Sequence, residues 1–429
     1  MDEMTKEFLE MSKHCNGYRR EKAVQKLGVI GDPLTIPILI IAVNDWVFQV
    51  RKAAREALLK MCSAENIEVF ILNLPNIYHL KECNRDKHER FISSIVNYLL
   101  QDENIQYVKK AIHHNNRYVA RIAVQLCIEN SLIEKQELII KCLEYKDVII
   151  KNLMVNYLHE FSGDTLELLL EKSMQNSFMP IRREAFQIYL RVMPKKGLKI
   201  ANNFLFDKNP SIREIAIYNL SKNGIKVEEI LLNIIKSNKA DTLKIKSAIL
   251  GLAYLNIKKA IPQIEQLCNA LFPSIRKVSL QALSKLIDYE SKPFLIQGIN
   301  DQSPRVAKES ARLLNKLKIQ LSADELFDII NKSHYKHTIK VALLSSKVAN
   351  KWEKLIFLIG CSWFFIQNKT AIPNILQSEL INWNSNFNRS NSQPSLLQKQ
   401  RILTEYNQCK QEFKNRGWLF LEFTIDNLQ

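Results

Sequence analysis

An apolar residue followed by a basic one, with a small or apolar residue four places on and another four beyond that, returns along this chain every 31 or 32 residues. The strongest copies are MPIRREAFQIYL, NPSIREIAIYNL, FPSIRKVSLQAL and SPRVAKESARLL, anchored at Ile181, Ile212, Ile275 and Val306, together with NDWVFQVRKAAREALLKM around Val50. Weaker copies fall at Arg19, Val119, Ile150 and Leu243, and a loose one near Ile339 ends the series. The gap of 69 residues between Val50 and Val119 implies one degenerate unit near His88 with a longer loop. Apolar residues at i, i+4 and i+8 share one face of a helix, so each copy is an amphipathic helix. Between copies runs a second apolar-periodic segment. SADELFDIINK from Ser322 and GDTLELLLEK from Gly163 each place a capping residue three positions before a Glu. Two short helices per unit cannot cover their own apolar faces, so neighbouring units must stack. The period predicts an α-solenoid with Val50, Ala54, Leu58, Ile212, Ala216, Leu220, Ile275 and Leu283 buried between units.

The run Tyr18 to Leu58, YRREKAVQKLGVIGDPLTIPILIIAVNDWVFQVRKAAREAL, resembles the short HEAT repeat, in particular the phycobilisome-lyase subtype. It has a Leu-Gly-x-x-Gly-Asp-Pro turn, a helix carrying Ile-Pro, then Asp and Val-Arg-x-x-Ala. The resemblance implies an all-α, right-handed solenoid of about eleven helix pairs over residues 1–350. Residues 351–429 would form an aromatic-rich C-terminal cap with a polar loop near 382–395. It also implies a structural ladder, in which a turn Asp pairs with an Arg six residues later at the start of the second helix. Asp45 with Arg51 and Asp207 with Arg213 keep both members, Asn176 with Arg182 and Asn238 with Lys244 are weakened versions, and Asp301 faces Ala307 without a partner. HEAT arrays serve as scaffolds, adaptors, lyase subunits and DNA-repair enzymes, so the resemblance speaks to fold and only by class to function.

Composition narrows the classes. Only ten glycines and twelve prolines occur in 429 residues, which favours helix throughout. The charged, amphipathic start MDEMTKEFLEMSK has neither the basic opening nor the apolar stretch of a secretory signal. The longest apolar run, Leu355 to Ile366, falls short of the roughly 20 residues a membrane span needs. The eight cysteines are scattered without the paired spacing of a zinc or redox site. The expectation is a cytoplasmic protein with no membrane span, no metal and no cofactor. His334 and His337 are three apart but lack further ligands, and the adjacent His113 and His114 read as a loop.

The net charge of +17 is concentrated late: residues 201–350 carry 23 Lys and Arg against 13 Asp and Glu. Lys244, Lys246, Arg276, Lys277, Arg305, Lys308 and Arg312 lie on or at the start of second helices, which line the concave face of HEAT arrays, so stacking in register predicts a basic stripe. Of five tryptophans only Trp46 lies within the repeats, which separates the tryptophans from the basic residues. Base stacking needs the two interleaved, so a glycosylase-like function is disfavoured, and no residue supports a bilin-lyase reaction independently. The reading is a non-enzymatic scaffold that binds a protein partner, an acidic one, as an adaptor or as an inhibitor of the immunity type. A nucleic-acid-binding array is the alternative.

Overall fold

A computed structural model of the chain describes residues 3–237, 241–332, 335–345, 349–387, 392–418 and 420–426. Those residues form α-helices joined by short turns and 3-10 segments, with no strand among them. Contacts divide the chain into two compact units, Met1–Pro194 and Lys195–Gln429.

In the first unit the helices fall into six pairs, among them Glu3–Met11 with Gly17–Ile30, Ile36–Ala42 with Phe48–Lys60, and Gly163–Met174 with Met179–Val192. The degenerate third pair has its first member broken into Ile67–Leu72 and Leu74–His79, then a long connection through His88 to Glu89–Leu99. This is the extra loop implied by the 69-residue gap. The second unit carries five more pairs, from Pro194–Phe204 with Pro210–Lys222 to Ala323–Asn331 with Lys336–Ser345. Within each unit, second helices pack on the second helices of the next pair, as Gly17–Ile30 does on Phe48–Lys60 and Thr242–Tyr254 on Pro273–Leu286. That layer removes the anchor columns from water: each of the eight residues expected to be buried is at most 4% exposed.

Local chemistry sets the helix starts. Asn16, Asn116, Asp147, Asn209 and Asp241 are N-caps whose side chains accept backbone amides of the first turn. Pro180, Pro210, Pro273 and Pro304 occupy first-turn positions where no amide donor is needed. Ser322 and Glu325 form the expected reciprocal capping box. The segment after Gly163 does not: its N-cap is Ser162, without a side-chain bond, because Gly163 sits at positive φ and turns the chain ahead of the helix.

Beyond the last pair, the helix Lys351–Gln367 is buried from Leu355 to Ser362 between Ala323–Asn331, Asn374–Ser385 and Leu396–Asn415. Trp352 donates its indole N–H to the Ser392 carbonyl at 3.0 Å, and Trp383 donates to the Lys351 carbonyl at 2.8 Å. The polar loop expected near 382–395 begins later than that, because residues 382–385 complete a helix; 388–391 lie outside the described residues. Among the described residues no helix is long and apolar enough to cross a membrane.

Candidate functional site

The ladder pairs each Arg differently from the expectation. Arg51 does not reach the Asp45 carboxylate; its Nη1 donates to the main-chain carbonyls of Asp45 and Trp46, at 2.9 and 3.2 Å. The carboxylate of Asp45 instead takes a two-pronged bond from Arg20 of the preceding pair, both at 2.8 Å. Arg51 in turn reaches forward to Asp86, which it shares with Arg55. Arg121 pairs with Asp147 in the same way, and Lys151 with Asn176. Arg20 and Arg51 thus each cap carbonyls of their own turn, which the end of the preceding helix leaves unpaired, and also tie themselves to the acid of the next turn. Burial pushes the Asp45 carboxyl up, but the bonds from Arg20 and the Val47 amide outweigh it and hold it below the usual carboxylate range.

In the second unit Arg213 donates to the Asp207 carbonyl at 2.8 Å and is 6% exposed, its burial lowering the guanidinium pKa. Asn238 lies outside the described residues. Asp301 is not partnerless: Arg276 grips it with two bonds of 2.7 Å and also caps the Ala270 and Leu271 carbonyls. Arg276 is 5% exposed, so a partner cannot reach it, and it leaves the proposed binding stripe. Where Ala307 supplies no guanidinium for its own turn, His337 donates from Nε2 to the Asp301 carbonyl at 2.9 Å. His334 lies outside the described residues.

The remaining stripe residues sort by the true register of the second helices. Asp241, Phe272 and Ser303 cap three successive second helices at intervals of 31, which sets the Thr242–Tyr254 copy one residue later than its sequence anchor. Leu243 is therefore exposed, and Lys244 stands in the first turn with its ammonium 6.0 Å from the Phe206 ring centroid. On the same register Lys246, Lys277 and Lys308 form one row across three helices. Leu250, Gln281 and Arg312 form a second, and Tyr254, Lys285 and Lys316 a third. All nine side chains are exposed or half-buried. Arg305 is exposed at the start of the third helix.

One carboxylate sits under this grid. Glu309, 7% exposed, accepts from Gln281 at 2.7 Å and from Arg312 Nε at 3.0 Å, with Lys277 Nζ at 3.9 Å. Burial raises its carboxyl pKa, and Arg312 and Gln281 more than reverse that, so it stays ionised below the usual range. Glu309 therefore fixes Gln281 and Arg312 in place and draws Lys277 toward them, while Lys308 and Lys316 are exposed.

Lys285, Lys316 and Tyr254 were missed in the sequence, although the same i+4 and 31-residue spacings lead to them. The separation of aromatics from cations also fails here, because it was drawn from tryptophans alone. Tyr254 is 45% exposed with Lys285 Nζ 5.2 Å from its ring centroid, and Tyr218, 62% exposed, has Lys222 at 6.0 Å. The charge is as uneven as the chemistry. Residues 1–194 hold 26 Lys and Arg against 25 Asp and Glu, whereas residues 195–429 hold 35 against 19. Essentially all the net charge belongs to the second unit.

No family profile and no curated protein matches the chain. Among solved structures it is similar to Kap95p, in a structure describing its binding to RanGDP, at 11% identity and a TM-score of 0.40, over 94% of this chain and 63% of that one. It is similar to importin beta at 12% identity and a TM-score of 0.33, over 96% of this chain and 61% of that one. A third likeness is to the CpcE–CpcF complex of phycocyanin lyase from Nostoc sp. PCC7120, at 14% identity and a TM-score of 0.25, over 58% of this chain and 94% of that one. The chain spans about three-fifths of the two transport proteins. Likenesses this distant carry no functional argument, and the solenoid rests on the helix pairing of the chain itself.

Proposed function

We propose that the chain is a non-enzymatic, cytoplasmic HEAT-type scaffold that binds an acidic protein through the open face of its second-helix layer in residues 242–317. Residues 351–429 cap the repeats. The observation that supports it is the grid of Lys246, Lys277, Lys308, Arg312, Lys285 and Lys316, with Arg305 beside it, set over a single carboxylate. A face of one sign raises the local concentration of an oppositely charged partner and speeds encounter. Lys244 belongs to the rim of this face, while Arg276 supports it from below.

Binding of labelled poly-glutamate and of single-stranded DNA to the full chain tests this reading, with Lys246→Glu/Lys308→Glu as the comparison. The expected result is poly-glutamate binding that the double variant weakens about tenfold or more, at an unchanged folding midpoint. Tyr254 beside Lys285 favours nucleic acid as the second reading. That reading wins if DNA binds more tightly and its affinity falls by orders of magnitude between about 50 and 200 mM salt. Wild-type affinity in the charge-reversed protein, for both probes, would reduce the face to a solvated surface.

A further inference from the structure

The helices Pro210–Lys222, Thr242–Tyr254 and Pro273–Leu286 leave a cavity of about 360 Å³ between them, at the edge of the basic grid. Its floor is apolar: Ile217 and Ala253 are buried, and Leu250 is half-buried. The backbone at Gly251 forms part of the wall. A Cβ there would come within 2.8 Å of Leu231 Cδ1, so the absent side chain lets this helix lie close on Val227–Lys236. The rim is polar and mixed, with the Tyr254 ring and Lys285 on one side and the exposed Glu214 carboxylate on the other.

We infer that this cavity seats one aromatic side chain, a Tyr or Trp, of an acidic partner segment whose carboxylates lie along the lysine rows. The inference rests on the proposed function and adds the anchor. The volume is near the lower end of the roughly 300–1,000 Å³ that bind small molecules, which fits a single large side chain better than an extended ligand. The floor of Ile217, Leu250 and Ala253 suits the body of a ring, and the exposed face of Tyr254 offers an edge-to-face neighbour. Glu214 is an acceptor at the mouth, placed for the N–H or O–H at the tip of such a ring, which Phe lacks. Aromatic anchors in pockets ringed by charge dominate protein interfaces, because a rigid ring loses little entropy on burial. Lys246 and Lys277 lie one and two helical turns from Leu250 and Lys285 on their own helices, within reach of acidic residues flanking the anchor.

The test uses the full chain and a short labelled Glu/Ser peptide carrying one central Trp, beside the same peptide with Ala at that position. The Trp peptide is expected to bind about tenfold more tightly. Leu250→Gln, a neutral change at a half-buried site, should erase that difference while leaving the Ala peptide unaffected. Tyr254→Ser at the exposed rim should do the same in part and guards against a folding defect in the first variant. Equal binding of the two peptides, with both still weakened by Lys246→Glu/Lys308→Glu, would overturn the anchor and leave the acidic-partner reading intact. If the charge reversal changes neither peptide, both fall together.

Discussion

Replacing Arg276 by Ala removes a rung whose two members are both nearly buried. Its side chain is 7% exposed and that of Asp301 10%, and the two are joined by paired bonds of 2.7 Å. Truncation leaves the Asp301 carboxylate nearly buried without its counter-charge, and it also strips the caps from the Ala270 and Leu271 carbonyls. Breaking a buried pair on one side costs about 3–5 kcal/mol. The two carbonyls lie at a turn that water can reach, so they add little, and a loss of about 4 kcal/mol follows. Asp301→Asn removes the charge and turns one of the two accepting oxygens into a donor, so it should cost about 2–3 kcal/mol. Urea unfolding monitored by tryptophan fluorescence is suited to the measurement, because Trp352, Trp363, Trp383 and Trp418 all belong to the second unit. At an m value of about 2.5 kcal/mol/M the Arg276→Ala midpoint should fall by about 1.5 M. The exposed Lys308→Ala should stay within about 0.5 kcal/mol of wild type. An Arg276→Ala midpoint indistinguishable from that of Lys308→Ala would refute the structural assignment and return Arg276 to the binding surface.

Arg51→Ala should cost less, about 1–2 kcal/mol, since Arg55 still holds Asp86 at 2.9 Å; a loss equal to that of Arg276→Ala, measured by circular dichroism, would contradict the shared rung. Arg213→Ala uncaps the Asp207 carbonyl from a buried position and should cost about 1–3 kcal/mol of stability, read in the same urea titration. Gly360→Ala places a Cβ against Glu405 Oε2 and the Phe327 ring, and should lower the thermal midpoint through about 1–3 kcal/mol of overpacking; an unchanged midpoint would mean the cap is loosely packed. Asp45, Asp86, Asp147 and Glu309 are all held below their usual pKa in the fold, so their contribution is present above about pH 4 and is lost as pH falls through the depressed values; thermal midpoints rising between pH 4 and 3 would reverse this sign. Burial pushes the Cys127 thiol up to about 11 and Cys142 to about 12, whereas Cys15 is exposed, so a maleimide at pH 8 should label Cys15 first and the other two only on unfolding, as mass spectrometry of the peptides would show.

The helix pairs, the buried columns and even the irregular third pair were legible in the sequence because they depend on a period, and a period survives substitution. The partner of each rung was not legible, for an arithmetic reason. A turn acid stands six residues before its own arginine, and in a regular unit 25 after the previous one; the two intervals sum to the 31-residue repeat, so a periodic sequence accommodates either pairing. Only the geometry separates Arg20–Asp45 from the alternative Arg51–Asp45. The binding face suffered from a smaller ambiguity. A one-residue shift of the Thr242–Tyr254 copy moves Lys246 and Tyr254 into line with Lys277 and Lys285, and nothing but the N-cap at Asp241 marks that shift. Glu309 was hidden for another reason: a buried carboxylate on an otherwise cationic helix becomes intelligible only once Gln281 of the neighbouring helix is seen to reach it.

The offset rungs give the stack a polarity. Each regular repeat presents an acid backward and a cation forward, so the joint between two repeats is never the same as its mirror, and a repeat inserted in reverse order would set acid against acid. Among the regular repeats, removing or duplicating one whole period is expected to keep the neighbouring acid and cation in register, whereas a cut of another length shifts one against the other. The chain closes this scheme where Ala307 stands in the cation's place: no guanidinium there projects toward a following acid, and His337 caps the last turn from the far side. The ladder therefore ends at the Arg276–Asp301 rung, within the span of the cationic grid, which marks the joint between the Pro273–Leu286 and Pro304–Leu317 helices as the last that could be lengthened by the same rule.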